Sequence, residues 1–150
     1  MPICADAVDW LTLSFLPGLG CTLIHRLVEA TGTPGAVLGS GGAAKSLSAI
    51  GARIPALLAD QGQVTAARER AQRELDRLAA LDISLLTPGS EHYPQALCFF
   101  PDRPVLLYCR GDLHLLAQPA GAIVGSRTAS RYGLRVGAML AAELAAEEIT

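Results

Sequence analysis

The sequence predicts an α/β fold in two parts: a small helical domain over residues 1–80, then the first part of a parallel-sheet domain over residues 81–150. In the first part, apolar residues recur at helical spacing between glycine and proline turns. In the second part, short apolar runs bounded by turn residues precede one amphipathic helix. Such runs are typical of strands buried on both faces of a sheet, and a strand, a glycine turn and a helix open a doubly wound unit.

The N-terminal segment, residues 9–38, predicts two short helices around the turn LPGLG at residues 16–20. Glycines in such a turn accept positive φ, and the proline fixes its approach. Helix-hairpin-helix modules use a similar turn to direct backbone N–H groups at a DNA phosphate. A plain inter-helix turn is the alternative, since the motif occurs once and only His25 and Arg26 supply basic character nearby.

Residues 39–52, rich in Gly, Ala and Ser, predict a loosely structured connection, and residues 53–81 predict a helix. This helix carries an apolar stripe and two oppositely charged i,i+4 pairs. The stripe is Leu75, Leu78 and Leu81, and the pairs are Glu69 with Arg73 and Arg70 with Glu74. Because the charges balance, we predict a solvated face rather than a nucleic-acid surface.

The composition argues against a chain coated with positive charge, because the net charge is −2 and the pI is near 5.9. A local basic site is still compatible, since residues 88–135 carry five arginines against three acids. The four cysteines, at 4, 21, 98 and 109, form no CxxC pair, which predicts reduced, mostly buried thiols and no metal site. No apolar run approaches the ~20 residues of a membrane span, so we expect a cytoplasmic protein without a membrane partner.

Three apolar runs in the second part predict strands, at residues 83–87, 104–109 and 120–125. A helix should follow from Ser130 to about Glu148, with Ser130 as its N-cap. Its apolar face should consist of Leu134, Gly137, Met139, Leu140, Ala141 and Leu144. Gly133 and Gly137 would allow the helix to lie close against a sheet.

The turn at residues 125–130, GSRTAS, predicts an anion site at the N-terminus of this helix. Gly125 permits a sharp exit from the strand, hydroxyl groups can donate hydrogen bonds, and Arg127 can hold a phosphate through two donors. Arg131 and Arg135 continue the row at a spacing of four, which favours a polyphosphate or a nucleic-acid backbone. A plain helix N-cap with surface arginines is the alternative. The segment is neither a GxGxxG dinucleotide fingerprint nor a P-loop.

Three strings together carry a family resemblance: YPQAL at 93–97, FFPDRPVLLYCRGDLHLL at 99–116 and AIVGSRTASRYG at 122–133. In order and spacing they resemble the DNA-processing protein A family, also called DprA or Smf, and IVGSRTASRYG is the most specific of them. The resemblance implies a SAM-like or helix-hairpin-helix domain followed by a Rossmann-like domain. It also implies that Tyr93 and Pro94 are structural.

The function implied by the resemblance is binding of single-stranded DNA without cofactor or turnover. Family members protect incoming strands during natural transformation, help load the RecA recombinase and form homodimers. The resemblance places Gly125, Ser126, Arg127 and Ser130 at the DNA, and the spacing adds Arg131 and Arg135.

Two departures from the family pattern affect this expectation. The family continues into a second glycine-rich segment of the type SGLAxGID and a downstream lysine, so the chain resembles a fragment of such a protein. Glu148 stands where a glycine is usual before the next strand.

Two other classes of function stay open from the sequence. A nucleotide-binding phosphoribohydrolase would share the strand and glycine turn, but it needs a later PGGxGT segment and a catalytic acid, which do not occur in these 150 residues. A protein-interaction module would use the N-terminal helices for docking.

Overall fold

The computed structural model describes residues 6–39 and 49–150 of the chain. Its main helices are α1 (Ala7–Phe15), α2 (Cys21–Thr31), α3 (Pro34–Gly39), α4 (Ile54–Ala59), α5 (Gln61–Ala80) and α6 (Arg131–Ala146). The strands are β1 (Ser84–Leu86) and β2 (Leu107–Cys109), and 3-10 helices cover Gln95–Phe99 and Leu113–Ala117. The chain divides into two compact units, Met1–Gly111 and Asp112–Thr150, called the first and second unit below.

The two helices predicted around LPGLG are α1 and α2, and α3 follows them. Gly18 has φ of +81°, a conformation that glycine adopts without strain. Leu19 is buried in the turn and Gly20 is the N-cap of α2. The turn is therefore held by its glycine and by packing of its leucine. The predicted connection at residues 39–52 lies largely outside the described residues.

The helix predicted over residues 53–81 is two helices, because the chain leaves helical geometry at Asp60. The Asp60 side chain caps α5: Oδ1 accepts from the Gln63 backbone N–H at 3.1 Å, and Oδ2 accepts from the Gln63 side chain at 2.8 Å. These bonds to the carboxylate lower the pKa of Asp60. An aspartate N-cap satisfies an N–H group at a helix start, so it begins a new helix.

One face of α5 packs into the core of the first unit, as the apolar stripe predicts. Its buried residues are Val64, Ala67, Ala71, Leu75 and Leu78. Leu81 is 46% exposed instead, because it lies past the last helical residue as the C-cap. On the other face, Glu69 pairs with Arg73 at 3.9 Å, whereas Arg70 stands over the Phe15 ring with its guanidinium carbon 4.1 Å from the centroid.

The strands pack into the same unit as the helices. Leu85 of β1 joins Leu11 of α1 and Leu75 of α5 in one buried cluster. Val105, just before β2, joins a second cluster formed mainly by the helices. The core of the first unit therefore includes side chains on both sides of residue 80.

The predicted parallel sheet is not found in the described residues, where the sheet consists of β1 and β2 paired antiparallel. The register places Leu85 opposite Tyr108. A parallel pair needs a crossover, usually an α-helix, between its strands. Residues 87–106 instead return the chain through turns and the 3-10 helix Gln95–Phe99, so the second strand runs back along the first.

Residues 120–125, predicted as a third strand, do not form a regular β-strand. Two hydrogen bonds nevertheless join this segment to the end of the chain: Gly121 N–H donates to the Thr150 carbonyl and Thr150 N–H donates to the Pro119 carbonyl, both at 2.8 Å. This is the hydrogen-bond pattern of a parallel pair, centred on Ala120 and Thr150. The pairing is too short to form a regular strand.

Helix α6 confirms the helix predicted after Ser130, although it ends at Ala146 rather than near Glu148. Its predicted apolar face is largely uncovered, since Leu134 is 64% exposed and Leu144 is half-buried. The helix does approach the preceding apolar run, because a Cβ added at Gly137 would lie 3.9 Å from Ile123. No side chain of residues 112–150 is fully buried.

Candidate nucleic-acid interface

The turn before α6 is shaped by two serine side chains. Ser130 is the N-cap, and its Oγ accepts from the Gly133 N–H at 3.1 Å. Ser126 Oγ accepts from the Thr128 N–H at 3.2 Å and lies 3.3 Å from the Thr128 hydroxyl. Each serine accepts from the backbone and keeps a hydroxyl proton that can be donated to an anion.

The three arginines of the predicted site are exposed around the start of α6. Arg131 is its first residue, and Arg135 lies one turn further along, on the same face. Arg127 lies in the turn itself. Residues 113–142 contain these three arginines and no Asp or Glu, so the positive charge is not neutralised by acids from its own stretch of chain.

The charges of α6 are placed opposite to what its dipole favours. Helix N-termini carry partial positive charge and are stabilised by acids, and C-termini by bases. This helix has no acid in its first turn and no base in its last, and Glu143, Glu147 and Glu148 lie towards its C-terminal end. An anion bound at the N-terminus would offset the repulsion between the arginines and the dipole.

Gly125 does not play the backbone role expected of it. Its φ lies outside the left-handed region, and a Cβ added there would meet nothing within 4 Å. The conformation of the turn therefore does not demand a glycine. The open space beside Gly125 leaves room for a ligand to approach the backbone.

The LPGLG turn has less basic character than the sequence indicates. His25 is buried in α2, and its Nε2 lies 3.0 Å from the Arg103 carbonyl oxygen. Burial lowers the pKa of His25, so the ring is mainly neutral at pH 7. Arg26 is exposed, so it is the one of these two residues whose positive charge can contact a phosphate.

An exposed aromatic pair, Phe99 and Phe100, was missed by the sequence reasoning. Phe99 is 87% exposed and Phe100 is 56% exposed, at the end of the 3-10 helix Gln95–Phe99. The available signal was the string FFPD itself, in which proline follows the two phenylalanines directly and excludes a regular helix or strand.

Other chemistry in the described part of the chain is sparse. Across residues 6–39 and 49–150, no three His, Cys, Asp or Glu side chains are grouped to hold a metal ion. In the same ranges, no helix has the length and apolar character to cross a membrane. Cys98 is exposed, against the expectation of mostly buried thiols, while burial raises the pKa of the half-buried Cys109.

The second unit thus presents an exposed row of arginines at a serine-capped helix N-terminus. Residues 84–150 match the sequence model of the family described as DNA recombination-mediator protein A. The match includes the turn, α6 and the aromatic pair, and it confirms the predicted family resemblance over those residues. No match was found among curated proteins.

Proposed function

We propose that this chain binds single-stranded DNA through the turn at residues 125–130 and the first turns of α6, and takes part in DNA processing for recombination. The observation that carries the proposal is the family match over residues 84–150, because it includes the whole turn. The exposed arginines and the dipole of α6 supply the chemistry for phosphate contacts.

The proposed site residues act in two ways. Arg127, Arg131 and Arg135 would contact phosphates, whereas Ser126 and Ser130 would hold the turn and donate their hydroxyl protons. Gly125 would allow the DNA strand to approach the protein backbone. Such contacts recognise the DNA backbone and carry no sequence information, so the proposal is one of binding without sequence preference.

The finer parts of the proposal come from the family resemblance. They are protection of incoming strands in natural transformation, loading of the RecA recombinase, homodimer formation and a Rossmann-like sheet in the second part of the chain. The parallel hydrogen-bond pattern between Pro119, Gly121 and Thr150, on either side of α6, supports such a strand-helix-strand unit. We propose binding rather than turnover, with no cofactor.

The test is fluorescence anisotropy of a labelled oligo-dT with the 150-residue chain at several salt concentrations. The wild type should bind, and Arg127→Ala should weaken binding and lower the log–log salt slope by about 0.7 for each phosphate that the variant no longer neutralises. Arg77→Ala is a matched control, because it removes one exposed positive charge from the last turn of α5. An unchanged affinity and slope for folded Arg127→Ala would exclude this site.

A second variant, Arg26→Ala, separates the helical domain from the α6 site. If α2 contributes phosphate contacts through the LPGLG turn, this variant should also lower the salt slope. Removing residues 1–80 is a poorer experiment, because Leu85 and Val105 pack into clusters that include helices of that region. Failure of the folded wild type to bind at low salt would overturn the proposed function.

A further inference from the structure

We propose that Phe99 and Phe100 form a stacking surface for the bases of a single-stranded nucleic acid. The proposal rests on the proposed function and adds a contact to the bases, which the arginines of α6 do not supply. Aromatic rings on a fixed scaffold are a general means of binding single strands, because every base has a face that can stack.

The two rings project from a segment whose backbone is well held. Leu97 N–H donates to the Pro94 carbonyl at 3.0 Å, and Phe100 N–H donates to the Leu97 carbonyl at 3.1 Å. Arg103 N–H then donates to the Phe100 carbonyl at 3.3 Å. Because successive turns fix this backbone, the rings are exposed by the local fold and not by a loose loop.

Both ends of the segment are attached to the core of the first unit. Buried Tyr93 precedes it and donates its hydroxyl proton to the Pro104 carbonyl. On the other side, the Arg103 carbonyl accepts from His25, and Val105 is buried among the helices. A surface held in this way loses little conformational entropy when it binds.

A positively charged side chain lies near the two phenylalanines, and it can bind the phosphate of a nucleotide. The Arg103 guanidinium donates from Nη1 to the Phe100 carbonyl at 3.4 Å, so it lies beside the second phenylalanine. Residues 98–110 contain two arginines, Arg103 and Arg110, and one acid, Asp102, so this stretch of chain has a net positive charge. Apolar rings beside a positive group suit a ligand that has both a flat apolar face and a negative charge, as a base and its phosphate have. A partner with an apolar surface and no acidic group would leave the positive charge unpaired.

The position of the pair in the chain favours nucleic acid over protein as the occupant. Both phenylalanines lie within residues 84–150, which match the DNA recombination-mediator family. A docking surface for a protein partner is the competing possibility, and the experiment distinguishes the two.

The experiment compares oligo-dT with an abasic strand of the same length, so that phosphates are kept and bases are removed. The full chain should bind oligo-dT more tightly. Phe99→Leu keeps an apolar side chain without a ring, and it should weaken binding to oligo-dT at least about 5-fold. Binding to the abasic strand and the salt slope should not change, and Phe100→Leu should act in the same direction.

Two further variants make the result decisive. Leu81→Ala is the control, because it removes another exposed apolar side chain and should leave both affinities unchanged. Phe99→Trp should retain binding, and its fluorescence should be quenched by oligo-dT, while buried Trp10 contributes a constant background.

The outcomes distinguish failure of the stacking surface from failure of the proposed function. If the wild type binds oligo-dT but folded Phe99→Leu and Phe100→Leu bind it equally well, the stacking surface is wrong and a protein contact becomes the better assignment. The proposed function is not affected by this outcome, because Arg127→Ala tests the α6 site. An equal loss on both strands would also overturn stacking, because the effect would not depend on bases. If the wild type binds neither strand, the proposed function fails and the stacking surface fails with it.

Discussion

His25 and Tyr93 hold consecutive carbonyl groups in the segment before β2. His25 Nε2 lies 3.0 Å from the Arg103 oxygen, and the Tyr93 hydroxyl donates to Pro104. Because a carbonyl oxygen only accepts, the neutral His25 ring carries its proton on Nε2. These two side chains therefore have structural roles, which agrees with the interpretation of Tyr93 drawn from its motif.

The burial of His25 makes stability depend on pH. Burial lowers the pKa of His25 below its usual value of 6.5, so the unfolded chain binds this proton more readily than the folded chain. The part of the folding stability that depends on neutral His25 should be complete above pH ~6.5. It should decrease as the pH falls from there towards the folded-state pKa. Urea unfolding at several pH values, with His25→Gln for comparison, measures this effect. A variant that lost as much stability as the wild type on acidification would assign the effect to other groups.

Helices α5 and α6 end in the same way, with an acidic residue in the left-handed conformation. Asp82 has φ of +54° and Glu148 has φ of +60°. After α6, Ile149 N–H donates to the Leu144 carbonyl at 3.0 Å, and after α5, Ile83 N–H donates to the Leu78 carbonyl at 3.0 Å. This is the Schellman arrangement, in which glycine is the usual residue at the left-handed position. The backbone at Glu148 is therefore one that a glycine would adopt without strain.

Glu148→Gly should raise the stability of the second unit by up to about 1 kcal/mol, because it relieves the left-handed strain of a residue with a Cβ. Thermal unfolding followed by circular dichroism would measure the change. Glu147→Gly is the matched control: it removes the same charge one residue earlier, at φ of −94°, where glycine has no advantage. Equal effects of the two substitutions would attribute the gain to charge and not to backbone strain.

The reversed charge pattern of α6 predicts opposite effects on stability and binding. Arg131→Glu places an acid at the first helical residue of α6. At low salt this acid should raise the melting temperature of the second unit, because it interacts favourably with the helix dipole. The same substitution should weaken binding to oligo-dT. The gain in melting temperature should shrink as salt is added. Arg135→Glu, beyond the first turn, should stabilise less. A lower melting temperature for Arg131→Glu would show that Arg131 makes a stabilising contact.

The helices were predictable from sequence more fully than the sheet. The spacing of Leu75 and Leu78 and the cap at Ser130 are local signals, so α5 and α6 could be placed from them. The pairing of strands depends on distant residues: nothing within 83–87 or 104–109 encodes that the two run antiparallel. The candidate site shows the same difference between local and long-range information. The N-cap at Ser130 could be predicted from the residues next to it. The exposure of Phe99 depends on how the residues around it pack, so it could not be predicted in this way.

The two units differ in how many of their side chains are buried. The fully buried side chains of the described residues lie in the first unit, and residues 112–150 have none. Local stability follows buried apolar contact, so the second unit should open more readily than the first. Hydrogen exchange should therefore be slower on the buried face of α5, at Ala71 and Leu75, than anywhere in α6. Comparable protection of the two helices would contradict this, and the addition of oligo-dT should slow exchange in α6 if the proposed site is correct.

The bond between His25 and Arg103 also bears on the order of folding. It joins residues 78 positions apart, and closing so long a loop is entropically costly before other contacts form. Helical contacts between neighbouring elements need no such closure, so they should assemble first. The segment that carries Phe99 and Phe100 would then acquire its fixed geometry late, on a helical core that is already in place.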